Sequence, residues 1–177
     1  DVHAEFGVIN KQIRFVEKEY NTKIDAVIQL GDFGIHREPL MNFFHKQKQK
    51  FLRPVYYIDG NHEDFWNIAK LNKTFKRRFT HLERGNKTRI GSYNFLPIGG
   101  SAFMDPINTP PGAVITTKDI ERSFRYNTSQ IDIVISHDCP QGIGVKGSPG
   151  FEYCGPTGFK EGQSLLKHFK PKLWLFA

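Results

Sequence analysis

Four short clusters in the 177-residue chain carry side chains able to hold cations or move protons. They are Asp1-Val2-His3, Gly31-Asp32, Gly60-Asn61-His62-Glu63 and Ser136-His137-Asp138. Carboxylates, imidazoles and one amide oxygen suit manganese, iron or zinc, with no thiolate required. Val2 separates Asp1 from His3, so on an extended backbone both side chains face one way. A carboxylate such as Asp32 has two oxygens and can bridge two divalent cations about 3.5 to 4 Å apart. Such a pair acidifies a shared water to hydroxide near neutral pH and clamps the oxygens of a phosphoryl group. Asn61 offers a neutral oxygen, and His62 beside it is placed to protonate a leaving oxygen.

Taken singly, each cluster also has an ordinary reading. Asp32 is a turn residue, Glu63 fits a first helical turn, and His137 is a hydrogen-bonded core histidine. Their common position gives the set its force, because each follows, or stands where it could end, a buried strand. The apolar, β-branched runs "IDAVIQL" (residues 24–30), "PVYYI" (54–58), "IDIVIS" (131–136) and "KLWLFA" (172–177) read as strands, and "TRIGSYNFLPIGG" as a hairpin. Between them lie helical patterns: Ile9, Ile13, Val16 and Tyr20 at helical spacing, then residues 39–49, 64–71, 117–126 (opened by a Thr cap) and 161–169. Strands alternating with helices imply one α/β layered domain, whose ligand sites gather at the carboxyl ends of the strands.

Composition sets the remaining bounds. One domain of this length has a core of its own. No apolar run approaches the roughly 20 residues of a membrane-spanning helix, and nothing resembles a signal peptide. Two cysteines, Cys139 and Cys154, fit a reducing compartment, so the expected location is cytoplasmic. The net charge of +7 and pI near 9.4 favour anionic partners such as phosphoesters or nucleic acid, or describe a solvated surface. No feature specifies an oligomeric state.

The ordered clusters resemble the calcineurin-like metallophosphoesterases, whose blocks run D-x-H, G-D-x-x-D, G-N-H-[ED], a lone H, and G-H-x-H. The resemblance spans essentially the whole chain. It implies a β-sandwich flanked by helices in αββα layers, two divalent metal ions (manganese, iron or zinc) and phosphoester hydrolysis by a bridging hydroxide. By that likeness Asp1 and His3 hold one metal, Asn61 and His137 the other, Asp32 both, and His62 is the catalytic acid. Ile35 stands where the pattern has its second Asp, so the group that orients His62 must come from elsewhere, with Asp64 or Glu63 as candidates. The likeness also implies that residues 1–177 are trimmed at both ends of the catalytic domain, with Gly-His-x-His expected just beyond Ala177 and weak metal binding by this segment alone. "IDIVISHDCPQGI" and "SLLKHFKPKLWLFA" resemble the lariat debranching branch of the family, which carries Cys where this chain has Asp1. The activity implied is a general phosphodiesterase or phosphomonoesterase, with a debranching phosphodiesterase as the narrower reading. A silent scaffold binding a protein partner is the reading from another class, and the retention of Asp32, Asn61, His62 and His137 argues against it.

Arg37 and Asp64 are read as substrate-side residues, Arg37 by meeting a phosphate. His36 follows the Asp32 loop, whereas His45, His81 and His168 are read as surface or helix residues. The glycine- and proline-rich stretch between Cys139 and Cys154 is read as a substrate lid holding two thiols or a disulfide. Residues 73–79, "KTFKRRF", mix cations with aromatics as single-strand nucleic-acid grooves do, or form a solvated helix face. No P-loop motif is present.

Overall fold

The computed structural model describes residues 1–147, 149, 150, 153 and 155–177. Two sheets form its centre. The first is parallel, in the order β1 (Val27–Leu30), β2 (Val55–Ile58), β3 (Thr80–His81). The second runs β4 (Thr88–Ile90), β5 (Tyr93–Ile98), β6 (Ile133–Ser136), β7 (Leu173–Leu175). Its β4–β5 pair is the antiparallel hairpin expected from the sequence, and β5, β6 and β7 are parallel.

Strand alternation explains the layering. On β2, Val55 and Tyr57 point into one apolar cluster while Tyr56 and Ile58 point into another. On β6, Ile133 and Ile135 face the cluster shared with Ile58, and Val134 faces away from it. The shared cluster, built from Ile28, Leu30, Ile58, Phe95 and Ile135 among others, is the seam between the sheets. Outside the first sheet lie α1 (Gly7–Glu19), α2 (Arg37–Met41) and α3 (Ile68–Thr74); outside the second lie α4 (Thr117–Ser123) and α5 (Gly162–Phe169). The result is the expected αββα sandwich.

The outer cluster of the first sheet is unusually aromatic. Phe33 sits at its centre, fully buried, with ring centroids 4.9 Å from Tyr57, 5.1 Å from Phe6 and 5.4 Å from Phe79. Truncating such a residue to alanine costs about 3 to 5 kcal/mol. Phe33 follows Asp32, so the core grips the loop that carries the central carboxylate.

Several elements differ from their sequence expectation. The helix expected over residues 39–49 is α2 followed by a π-helical turn, Asn42–Lys46. That turn seats both Phe43 and Phe44 in the core. The helix expected at 64–71 begins later, at Ile68, because the Asp64 amide donates to the Ile35 carbonyl and residues 64–67 form a turn. Helix α4 ends at Ser123, before the expected 126, and its cap is Thr116 in a capping box with Asp119. The short strand β3 has no counterpart in the apolar pattern, and β7 stops at Leu175. No helix among the described residues is long and apolar enough to cross a membrane.

Candidate metal centre and active site

Parallel pairing sets the site's position. Leu30 pairs with Ile58, so the loops that follow them, carrying Asp32 and Asn61-His62, leave the first sheet side by side. Ser136, paired with Ile98, delivers His137 from the second sheet. The clusters therefore converge where the carboxyl ends of β1, β2 and β6 meet.

Asp32 stands in the middle, 3% exposed, with a left-handed φ of 45°. Its Oδ1 accepts the amide hydrogens of Asn61 (3.0 Å) and His62 (2.9 Å) and lies 3.6 Å from His137 Nε2. Its Oδ2 lies 3.7 Å from His3 Nε2. One carboxylate thus turns one oxygen toward Asn61 and His137 and the other toward His3. Gly60 makes the approach possible, since a Cβ there would overlap the Asp32 amide nitrogen and Oδ1. Gly31 does the same for His137, whose ring occupies the space a Cβ would need.

The amino-terminal segment docks on the same loop. The amides of Val2 and His3 donate to the Asp32 carbonyl, and Ala4 donates to that of Phe33. His3 and Ala4 have φ of 41° and 68°, so the backbone is not the extended one that simple alternation predicts. Asp1 and His3 nevertheless meet Asp32: one ligand atom from each of the three lies within 4.8 Å of the others.

The second group is bound more tightly. His137 is buried, and its Nδ1 donates to the Leu30 carbonyl at 2.9 Å, which leaves Nε2 as an acceptor. That Nε2 lies 3.0 Å from Asn61 Oδ1, while Asn61 Nδ2 donates to the Asn108 carbonyl at 2.7 Å. Nε2 and Asn61 Oδ1 thus present lone pairs to each other, with Asp32 Oδ1 3.6 Å from Nε2. Three acceptors converging inside a protein are the donor set a divalent cation needs, and they fit manganese, iron or zinc. Asp1 Oδ1 lies 3.9 Å from His137 Nδ1, so the two groups adjoin.

Glu63 is the residue whose structural weight sequence reasoning underestimated. Its Oε1 accepts from the Phe33 amide (2.8 Å), and its Oε2 from those of Gly34 (3.0 Å) and Ile35 (2.6 Å). Burial pushes its carboxyl above the ordinary range, the Ile35 and Phe33 amides oppose that rise, and neighbouring Asp32 and Asp59 add to it. This tie fixes the Asp32 loop, and Ile35, the position of the missing second Asp, supplies one of its donors. Glu63 is therefore committed to the backbone, and the Asp64 carboxylate accepts from Asn67. Among the described residues, none hydrogen-bonds the His62 ring; its neighbour is the His3 ring, edge-on at 5.4 Å. His36 Nε2 instead donates to the His62 carbonyl at 3.1 Å.

Behind Asn61, Asp59 is buried against His81 (3.0 Å) and the Arg84 guanidinium. Burial alone raises an acid; here His81 and Arg84 outweigh it and hold Asp59 below the carboxylate range. Arg84 also donates to the carbonyls of Val114 and Gly112, anchoring the loop that offers Asn108 to Asn61. His81 is thus a strand residue in an ion network, not the surface or helix residue its surroundings in the sequence suggest.

Two clefts meet at the site. The larger, about 880 Å³, is lined by Asn61, His62, Ser101, Phe103, His137 and Asp138 among others; the smaller, about 380 Å³, by His3, His36, Asn61, His62 and Ile107. Asn61 and His62 line both. Arg37 and Asp64 line neither. Cys139 is buried and its thiol is pushed up by burial; Cys154, and with it the expected thiol pair or disulfide, lies outside the described residues.

The calcineurin-like phosphoesterase profile matches residues 1–177. The chain belongs to that family. It is 26% identical to the lariat debranching enzyme of Entamoeba histolytica over 98% of this chain and 60% of that protein. It is 25% identical to the lariat debranching enzyme of Drosophila pseudoobscura pseudoobscura over 99% of this chain and 40% of that protein. The chain thus spans about half the length of these relatives, and the family's αββα layers and metal-fitting donors are both present in it.

Proposed function

We propose that the protein is a metal-dependent phosphodiester hydrolase with two divalent cations. Asp1 and His3 would hold one, Asn61 and His137 the other, and Asp32 both. The observation that carries this reading is the orientation of Asp32, one oxygen toward each donor group. When bound, the cations would supply an acidified water for attack and neutralise the phosphoryl oxygens. His62, exposed where the clefts meet, delivers a proton to the leaving oxygen. Glu63 and His36 hold the His62 backbone against the Asp32 loop, so that acid and central carboxylate keep a fixed separation. Two clefts that share His62 favour a diester, since each substituent on phosphorus then has a place.

Branched RNA is the narrower substrate reading, supported by the names of the two relatives. The test is a hydrolysis screen with Mn²⁺ over bis(4-nitrophenyl) phosphate, 4-nitrophenyl phosphate, cyclic nucleotides, linear RNA and branched RNA. Diesters are expected to be cleaved and Asp32→Asn to be inactive. Activity that survives Asp32→Asn, or cleavage of the monoester alone, contradicts the reading. A protein inert toward every substrate would instead be the scaffold.

A further inference from the structure

The net positive charge of this protein comes from two segments of the chain. Residues 39–58 and 65–82 together hold nine of the 25 lysines and arginines and none of the 18 acids; the remaining 139 residues hold 16 cations and 18 acids. The excess of +7 therefore lies wholly in these two segments. Folding brings them together. Phe44, from the π-helical turn, packs on Phe75 at 5.6 Å and Phe79 at 6.1 Å, and His45 packs on Phe75 at 5.8 Å. Arg78 lies over the Phe44 ring at 5.5 Å.

Around this aromatic floor, Lys46, Lys48 and Lys50 emerge from the first segment, exposed. Lys70, Lys73, Lys76, Arg77 and Arg78 emerge, also exposed, from the second. Among the described residues none of the eight makes an ion pair, whereas the ninth cation, Arg53, is paired with Glu17. Eight clustered, unneutralised cations repel one another, and a polyanion relieves that repulsion while releasing its own counterions. The second segment begins three residues after His62, and its Trp66, which lies in the chain between His62 and Lys70, is 95% exposed and offers an aromatic surface.

We propose that this face docks the backbone of single-stranded nucleic acid and feeds it past Trp66 to the site. The aromatics of "KTFKRRF" do not stack bases as the sequence pattern suggested, because Phe75 and Phe79 are buried core. The cations take phosphates, and Trp66 stacks a base. An anionic membrane fits less well: apart from Trp66 and the partly exposed Leu52, the large apolar side chains of both segments are turned inward, so nothing inserts into lipid. The inference deepens the phosphodiesterase reading, and its test does not require hydrolysis.

The experiment measures binding of a fluorescein-labelled 20-nucleotide RNA to the metal-free Asp32→Asn protein across salt concentrations. Two triple variants, Lys46→Gln/Lys48→Gln/Lys50→Gln and Lys73→Gln/Lys76→Gln/Arg77→Gln, are each expected to reduce the log–log salt slope by about 2. Trp66→Ala is expected to weaken binding roughly tenfold. Lys11→Gln/Lys18→Gln/Lys23→Gln on the α1 side removes the same charge and is expected to change the slope little. Circular dichroism confirms folding, and the triples in the Asp32 background are expected to keep whatever activity the protein has on bis(4-nitrophenyl) phosphate. Slopes unchanged in both basic-face triples, equal loss in the α1 control, or binding to phosphatidylserine vesicles in preference to RNA would overturn the proposal.

Discussion

His137 Nε2 and Asn61 Oδ1 face each other at 3.0 Å as two acceptors, each fixed in that role by the hydrogen bond on its far side. The Leu30 carbonyl takes the Nδ1 hydrogen of His137, and the Asn108 carbonyl takes the amide hydrogen of Asn61. A divalent cation resolves the opposition. Mn²⁺ at a hundred times its dissociation constant is therefore expected to stabilise the fold by about 2.7 kcal/mol, or roughly 5 to 10 °C in Tm. In Asn61→Ala and His137→Ala the shift should vanish, as differential scanning fluorimetry would show.

Glu63 couples stability to the site. Replacing it with Gln places an amide NH₂ among three backbone donors and is expected to cost about 2 to 4 kcal/mol in urea denaturation. Because those donors belong to residues 33–35, the same variant should also weaken Mn²⁺ binding. Loss of stability with unchanged metal affinity would detach Glu63 from the Asp32 loop.

Asp59 and Arg84 predict an acid limb. Asp59 is depressed in the folded state, so its contribution is present above the unfolded carboxylate range and is lost as pH falls through the lower folded value. The stability difference between wild type and Asp59→Asn should therefore be constant near neutrality and shrink below about pH 4. Arg84→Met, which leaves Asp59 buried with His81 alone, is expected to cost about 3 kcal/mol, and Arg84→Lys much of that, since lysine cannot hold Asp59 and two loop carbonyls together.

The role of His62 is legible in the leaving group. With a poor alkoxide leaving group, as in RNA, His62→Ala should lower kcat by about 10²- to 10⁴-fold. With 4-nitrophenolate, which departs without a proton, the loss should be far smaller. Equal losses on both substrates would mean that His62 orients phosphate rather than protonating the leaving oxygen.

The parts of the molecule visible in the sequence are those with a local cause. The runs ending at Leu30, Ile58 and Ser136 are apolar on both faces because each strand lies between two layers, and their ends mark the site. β3 was not visible because two residues, Thr80 and His81, make no periodic pattern. The network of Asp59, His81 and Arg84 joins residues 22 and 25 positions apart, which no local spacing announces. The hold of Glu63 on residues 33–35 is not legible in the sequence, because its partners are backbone amides, and those carry no signature in side-chain identity. In "KTFKRRF" the composition was informative and the orientation was not, since turning Phe75 and Phe79 inward is a tertiary choice.

The most direct test of the central claim is electron paramagnetic resonance of the protein with saturating Mn²⁺, compared with Asp32→Asn. If Asp32 joins two cations about 3.5 to 4 Å apart, the wild type shows an exchange-coupled Mn²⁺ pair and the variant only isolated ions. Isolated ions in both proteins, or a coupled pair that survives the substitution, would contradict the bridging role of Asp32.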